Sequence, residues 1–168
     1  MTNEQLEVEL KLLHDLLQIG GYDEQSARFF ARLAVTIGRL PVSVEALCKQ
    51  GRLCDITGVG ATTAALLSEY ILTGTSQKRS LLERRVPQGV LQLLAIPGIG
   101  VKTVRKLYQQ AGVESLEALE RAVRQGTLGS IDTRTATSLR AYFLRQTRQR
   151  RAQEALPLFA EEGLFAET

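Results

Sequence analysis

Apolar residues recur at helical spacing from the start of the chain. Leu6, Leu10, Leu13 and Leu17 mark one face, and Leu12, Leu16 and Ile19 widen it, so a core-facing helix is predicted over residues 3–19. Gly20-Gly21 ends it, and Asp23 can cap a second helix that runs to about Leu40, where Pro41 stops it. Ser43 caps a short helix through Lys49, closed by Gly51, and a further helix is predicted from Ala61 to Leu72, closed by Gly74. Basic residues around Lys78–Arg85 then lead to Pro87, placed at the first turn of a helix reaching Leu94. Another helix is expected from residue 101 to about Gln110, ended by Gly112. Ser115 caps the next, which Gly126 and Gly129 break, and Asp132 or Thr133 caps a long arginine-rich one. No stretch alternates polar and apolar residues between hairpin turns, so strands are not expected and the fold class is all-α.

Two of these helices follow near-identical turns. Ile56-Thr57-Gly58-Val59-Gly60 and Ile96-Pro97-Gly98-Ile99-Gly100 lie forty residues apart, and each has a hydrophobe, a turn residue and then Gly-hydrophobe-Gly. That pattern is the signature of a helix-hairpin-helix, a module that grips nucleic-acid backbone. The glycines are expected to reverse the chain through backbone angles a side chain would resist, and their missing Cβ atoms to let a phosphate approach the main chain. The following helix then offers unpaired N–H groups and a positive dipole end to an anion. Val59 and Ile99 would point into the core. The first hairpin adds Thr62 and Thr63, hydroxyls without charge; the second adds Lys102, Thr103, Arg105 and Lys106, able to pair with flanking phosphates. The candidate DNA-binding residues are therefore Gly58, Gly60, Thr62, Thr63, Gly98, Gly100, Lys102, Thr103, Arg105 and Lys106, with the second hairpin the stronger.

Charge divides the chain into three parts. Residues 1–75 hold six Lys/Arg against nine Asp/Glu, residues 76–151 hold fifteen against five, and residues 152–168 hold four acids and no base. A middle of net charge +10 between acidic ends points to phosphate as partner, although the Arg145–Arg151 run alone also fits a solvated helix face. The expected organisation is a helical domain over 1–75 with the first hairpin, a basic helical domain over 76–151 with the second, and an acidic tail over 152–168. Cys48 and Cys54 are expected as free thiols, and the single His14 excludes a His-rich metal site. No side-chain metal site is expected. Charged residues follow Met1 and no apolar run approaches a membrane span, so a cytoplasmic, nucleoid-associated protein without a leader is expected.

The order of segments from Leu13 onward resembles the amino-terminal region of bacterial family X DNA polymerases. Leu16-Leu17-Gln18-Ile19-Gly20-Gly21-Tyr22, Leu40-Pro41-Val42-Ser43, Glu69-Tyr70-Ile71-Leu72-Thr73-Gly74 and residues 86–100 carry it, and it continues through residues 102–108 over nearly the whole chain. The resemblance implies a lyase-like domain followed by a fingers or thumb-like domain, the first hairpin holding the downstream strand of gapped DNA and the second the primer side. It also implies Na+ or K+ held by main-chain carbonyls, which would be those of Cys54, Ile56 and Val59, then Leu94, Ile96 and Ile99.

The departures bear on function. Leu66 and Thr62 stand where relatives with deoxyribose-phosphate lyase activity carry lysines, and leucine cannot attack a sugar aldehyde. Ser26 replaces a phosphate-binding lysine, although Arg28 and Arg32 remain, and a third hairpin falls at Ser130-Ile131-Asp132 without its glycines. The sequence ends where a palm with its metal-holding aspartates would begin, so a non-catalytic, sequence-independent DNA binder is expected, favouring gapped, nicked or branched DNA. Two alternatives stay open: a residual lyase using Lys102 or the N-terminus, and a protein-interaction adaptor. For the latter, Leu156, Leu158 and Phe159 resemble a sliding-clamp peptide, and equally the stretch that enters the polymerase palm.

Overall fold

The computed structural model describes residues 1–129 and 131–161, with side chains described as far as residue 153. Among these residues there are nine α-helices and no strand. α1 (Asn3–Ile19) starts with a capping box, in which the Thr2 hydroxyl accepts the Gln5 N–H at 3.1 Å and the Gln5 side chain accepts the Thr2 N–H at 2.9 Å. A short turn leads into α2 (Glu24–Gly38), where Asp23 accepts the Ser26 N–H at 2.9 Å, and Ser43 caps α3 (Val44–Lys49). Asn3 ties the start of α1 to the loop before α3. Its amide donates to Val42 O at 2.9 Å and accepts the Val44 N–H at 2.8 Å.

α4 (Ala61–Thr73) ends at Gly74, whose φ of +78° suits glycine alone among common residues. Ser76, fully buried, then caps α5 (Gln77–Glu83) by accepting the Arg79 N–H at 3.1 Å. The periodicity showed only a basic link here, because seven residues with Leu81 and Leu82 as their apolar content give no readable stripe. α6 (Gln88–Gln92) follows, with Pro87 as its cap residue and not inside its first turn. α7 (Val101–Ala111), α8 (Leu116–Gln125) and α9 (Thr133–Glu161) complete the order, and Gly112 and Gly126 close α7 and α8 in left-handed conformations.

The predicted boundary near residue 75 coincides with the Gly74 and Ser76 caps, yet the apolar core runs across it. Leu6, Leu10, Leu13 and Leu17 are buried, and α1 packs chiefly on α2, with α7 and α5 against it as well. Buried residues from both sides, Ile37 and Leu67 as well as Leu107 and Leu139, belong to one contiguous cluster. Polar contacts reinforce the junction. Arg79 pairs with Glu9 at 2.6 Å and Glu83 at 2.8 Å, and the Gln109 amide donates to Ile19 O at 2.8 Å. Lys78 and Arg85 sit over the Phe30 and Tyr22 rings at 5.2 and 5.8 Å.

Tyr70 is fully buried, and its hydroxyl has no hydrogen-bond partner among the described residues. Burial pushes its pKa up to about 12, so the phenol stays neutral. An unpaired buried hydroxyl costs on the order of 1–3 kcal/mol, which a phenylalanine of nearly the same shape avoids. Tyr70→Phe is therefore expected to hold or raise the urea midpoint; a clear fall would show that the hydroxyl has a stabilising partner.

Candidate nucleic-acid interface

The two hairpins share one hydrogen-bond framework. Short 3-10 turns, Leu53–Asp55 and Leu93–Ala95, lead into them. The Ile56 N–H donates to Leu53 O and the Val59 N–H to Ile56 O, at 3.2 and 3.0 Å; the matching bonds from Ile96 and Ile99 are 3.2 and 3.1 Å. Gly60 O and Gly100 O then accept the first intrahelical bonds, from Ala64 and Val104. Val59 and Ile99 are buried, as their places between the glycines predicted. The 3-10 turns were not legible, since three residues carry no period.

The glycines divide into two kinds, which corrects the expectation that both adopt angles a side chain would resist. Gly58 and Gly98 have φ of +84° and +82°, in the region L-residues avoid. Gly60 and Gly100 have φ of −93° and −97°, ordinary extended backbone. A Cβ at Gly60 or Gly100 would also meet no other atom within 4 Å. Neither strain nor crowding inside the protein requires glycine there. What glycine supplies is the lack of a side chain in front of the first-turn amides.

Those amides are open. α1, α2, α3, α5 and α8 each have a Thr, Asp or Ser side chain bonded into their first turn. Asp132 does the same for α9, accepting the Thr135 N–H at 2.9 Å and the Thr135 hydroxyl at 2.8 Å. Among the described helices longer than one or two turns, only α4 and α7 start without a side-chain cap. Apart from the Thr103 N–H, which donates to Gly100 O at 2.9 Å, their first-turn N–H groups are left to a ligand at the positive end of the helix dipole, which is the arrangement that holds an anion.

The forty-residue offset pairs Thr62, Ala65 and Leu66 of α4 with Lys102, Arg105 and Lys106 of α7. Thr62 is exposed and Thr63 half-buried near the α4 start, while Leu66 packs against the core. Asp55, just before the first hairpin, is held by Arg52 at 2.8 Å; its counterpart before the second is the uncharged Ala95. Among the described residues Lys102, Arg105 and Lys106 have no carboxylate partner, although Arg105 donates to Gln109 at 3.3 Å. Four of the six basic residues in 1–75 are in ion pairs: Lys11, Arg28, Lys49 and Arg52. Uncompensated charge thus gathers on the second hairpin.

A third turn precedes α9, with the Ile131 N–H donating to Leu128 O at 3.3 Å as in the other two. Asp132 occupies the position of Gly60 and Gly100, so a carboxylate fills the place an anion would take. Bonding to Thr135 holds that carboxyl below the usual aspartate range, and the Ser26 amide does the same for Asp23. Sequence showed the loss of glycines but not the survival of the turn. Ser130, and the side chains of Leu156, Leu158 and Phe159, lie outside the described residues. Arg145, Arg148, Arg150 and Arg151 are exposed on α9, and Arg32 on α2. Ser26 bonds Asp23 through both its amide and its hydroxyl.

Two outcomes follow for stability. Gly98→Ala is expected to lower it by about 1–2 kcal/mol through strain at positive φ, whereas Gly100→Ser should leave it unchanged or raise it by a few tenths, because serine caps a helix well. Urea unfolding of both variants checks this, and equal losses would contradict the division. The lowered carboxyls of Asp23 and Asp132 stabilise the fold fully above the ordinary aspartate pKa near 3.9. That contribution is lost as pH falls through their lower folded values. Asp23→Ser/Asp132→Ser keeps both caps without titration, so its urea midpoint should fall less than that of the parent between pH 7 and pH 3.

Comparison with known proteins fits this geometry. Residues 90–138 match the model of a SAM-like helix-hairpin-helix tandem. That stretch contains the Gly98–Gly100 hairpin and the turn closed by Asp132, so the tandem joins an open hairpin to a capped one. The chain is also 35% identical over 79 residues to the DNA polymerase/3'-5' exonuclease PolX of Bacillus subtilis. The match covers 47% of this chain and 14% of that protein, so the chain spans a small part of the length of its relative. This chain is all-α, carries a helix-hairpin-helix tandem over residues 90–138, and resembles a family X DNA polymerase across about half of its own length.

Proposed function

We propose that this protein is a non-catalytic, sequence-independent DNA-binding protein that holds phosphodiester backbone at the starts of α4 and α7. The observation that carries the reading is the pair of uncapped helix N-termini behind Gly60 and Gly100, in a fold that caps its other long helices with side chains. α7 is the stronger grip, because Lys102, Arg105 and Lys106 add charge where α4 has Thr62, Ala65 and Leu66. The similarity to a polymerase supports DNA as the ligand, and gapped, nicked or branched DNA as the form bound is part of the same proposal. The absence of amines at 62 and 66 supports a non-catalytic role. Na+ or K+ at the carbonyls of Cys54, Ile56 and Val59, and of Leu94, Ile96 and Ile99, belongs to the same proposal. So do a place in DNA repair or replication and residence with the nucleoid. No described helix is long and apolar enough to cross a membrane.

Binding measured across single-stranded, duplex, gapped and flap DNA should weaken steeply with salt, by a slope of roughly −0.9 for each phosphate neutralised. Gly100→Ser should bind markedly less DNA while remaining at least as stable, since its hydroxyl takes the amides that a phosphate needs. Lys102→Ala, Arg105→Ala and Lys106→Ala should each flatten the salt slope by up to about one contact. Affinity that ignores salt and survives Gly100→Ser would overturn the reading. Borohydride trapping on a deoxyribose-phosphate oligonucleotide should give no adduct; a covalent product would establish lyase chemistry instead.

A further inference from the structure

The stripe of cations on α7 does not simply face solvent. Lys102, Arg105, Lys106 and Gln109 follow helical spacing, opposite the buried Val104 and Leu107. They form one wall of a cleft of about 340 Å3 between α7 and the junction of α1 with α2. The other wall includes Gln18, in the last turn of α1, and Glu24, in the first turn of α2.

Gln18 is the informative residue. It is 92% buried, with a relative exposure of 8%, yet its side-chain amide makes no hydrogen bond among the described residues. Its polar atoms are not sealed in the core either, where only the Tyr70 hydroxyl is both buried and unpartnered. The small exposure that remains to Gln18 therefore includes its amide, and the space it meets is the cleft. Water in the cleft is the partner left to that amide, and a ligand whose oxygens accept its N–H takes the water's place. The neighbouring Gln109 shows how this fold treats such groups, since its amide is bonded to Ile19 O at 2.8 Å.

The charges say what the ligand is. Three cations without carboxylate partners line the cleft, and its one carboxylate, Glu24, is paired with Arg28 at 2.7 Å. We propose that this cleft is a phosphate site. Arg105 and Lys106 supply the charge and the Gln18 N–H a directed hydrogen bond, which phosphate oxygens accept and a bulk cation field alone would not select. The site rests on the reading of α7 as a backbone-binding helix and extends it. α7 rises about 1.5 Å per residue, so a strand anchored at the Gly100 amides and lying along α7 would bring a following phosphate over the cleft. Free phosphate offers the same chemistry and is the other source.

The test follows the Gln18 side-chain N–H signals of the full-length protein by 15N NMR. A gapped duplex is titrated in one arm and inorganic phosphate in the other, with sodium chloride at matched ionic strength as control. A shift of the Gln18 signals with DNA, lost in Arg105→Ala/Lys106→Ala and reached at threefold or more lower DNA concentration in Glu24→Gln, supports the site with the strand as its ligand. An equal shift with inorganic phosphate at the same phosphate concentration supports it with free phosphate as ligand. If DNA moves the Gly100 and Val101 amides but leaves Gln18 still, the cleft is not a phosphate site while the hairpin reading stands. If neither moves, both fail.

Discussion

The leucine face of α1 holds the molecule together. Leu6, Leu10, Leu13, Leu16, Leu17 and Ile19 are all buried, and each contributes about 1.5–3 kcal/mol relative to exposure. α1 meets helices from both halves of the chain. α2 lies along it, while α5 and α7 come to it from beyond residue 75. Dispersion and the hydrophobic effect supply the energy but not the register. The register comes from directional contacts at the edges: Arg79 against Glu9, and the Gln109 amide on the carbonyl at the end of α1. The basic half is thereby fixed to the acidic half through a shared helix and not through a linker.

On this frame, helix ends are treated in two opposed ways. A side-chain cap satisfies the first-turn amides within the protein, and glycine in its place sacrifices a few tenths of a kcal/mol. α4 and α7 accept that loss, whereas α9, preceded by a turn with the same hydrogen bond, does not. The difference comes down to one residue after each turn, glycine in two cases and Asp132 in the third. Self-satisfaction and ligand binding compete for the same N–H groups, which are left without a side-chain cap in α4 and α7 and are bonded to Asp132 in α9.

Much of this was legible because caps and breakers are local. Asp23, Ser43 and Ser115 as caps, and Gly20, Pro41, Gly51, Gly74 and Gly112 as stops, placed most helix ends to within a residue or two. The forty-residue repeat exposed both hairpins, and Val59 and Ile99 were correctly taken as core residues. α5 was missed because seven residues with two adjacent leucines have no period to read. All four hairpin glycines were given both a strained angle and room for a phosphate, because sequence cannot separate a glycine needed for positive φ from one needed for empty space; only the angle fails at Gly60 and Gly100. The cleft was invisible for another reason. Gln18 and Arg105 are far apart in the chain, and only the docking of α7 on α1 makes them neighbours. A glutamine in a leucine-rich helix otherwise reads as solvated.

That docking also limits what the protein can hold at both ends at once. The two uncapped helix starts belong to elements sharing one apolar core, so the distance and angle between them are set when the chain folds. A flexible tether between two grips would let each follow its own phosphate. A stiff mount makes the ligand conform instead, and bending duplex DNA costs more than bending a strand interrupted by a nick or gap. For the proposed DNA binder, selectivity among DNA shapes then needs no contact to a base, only a difference in how cheaply each substrate deforms to span two fixed points.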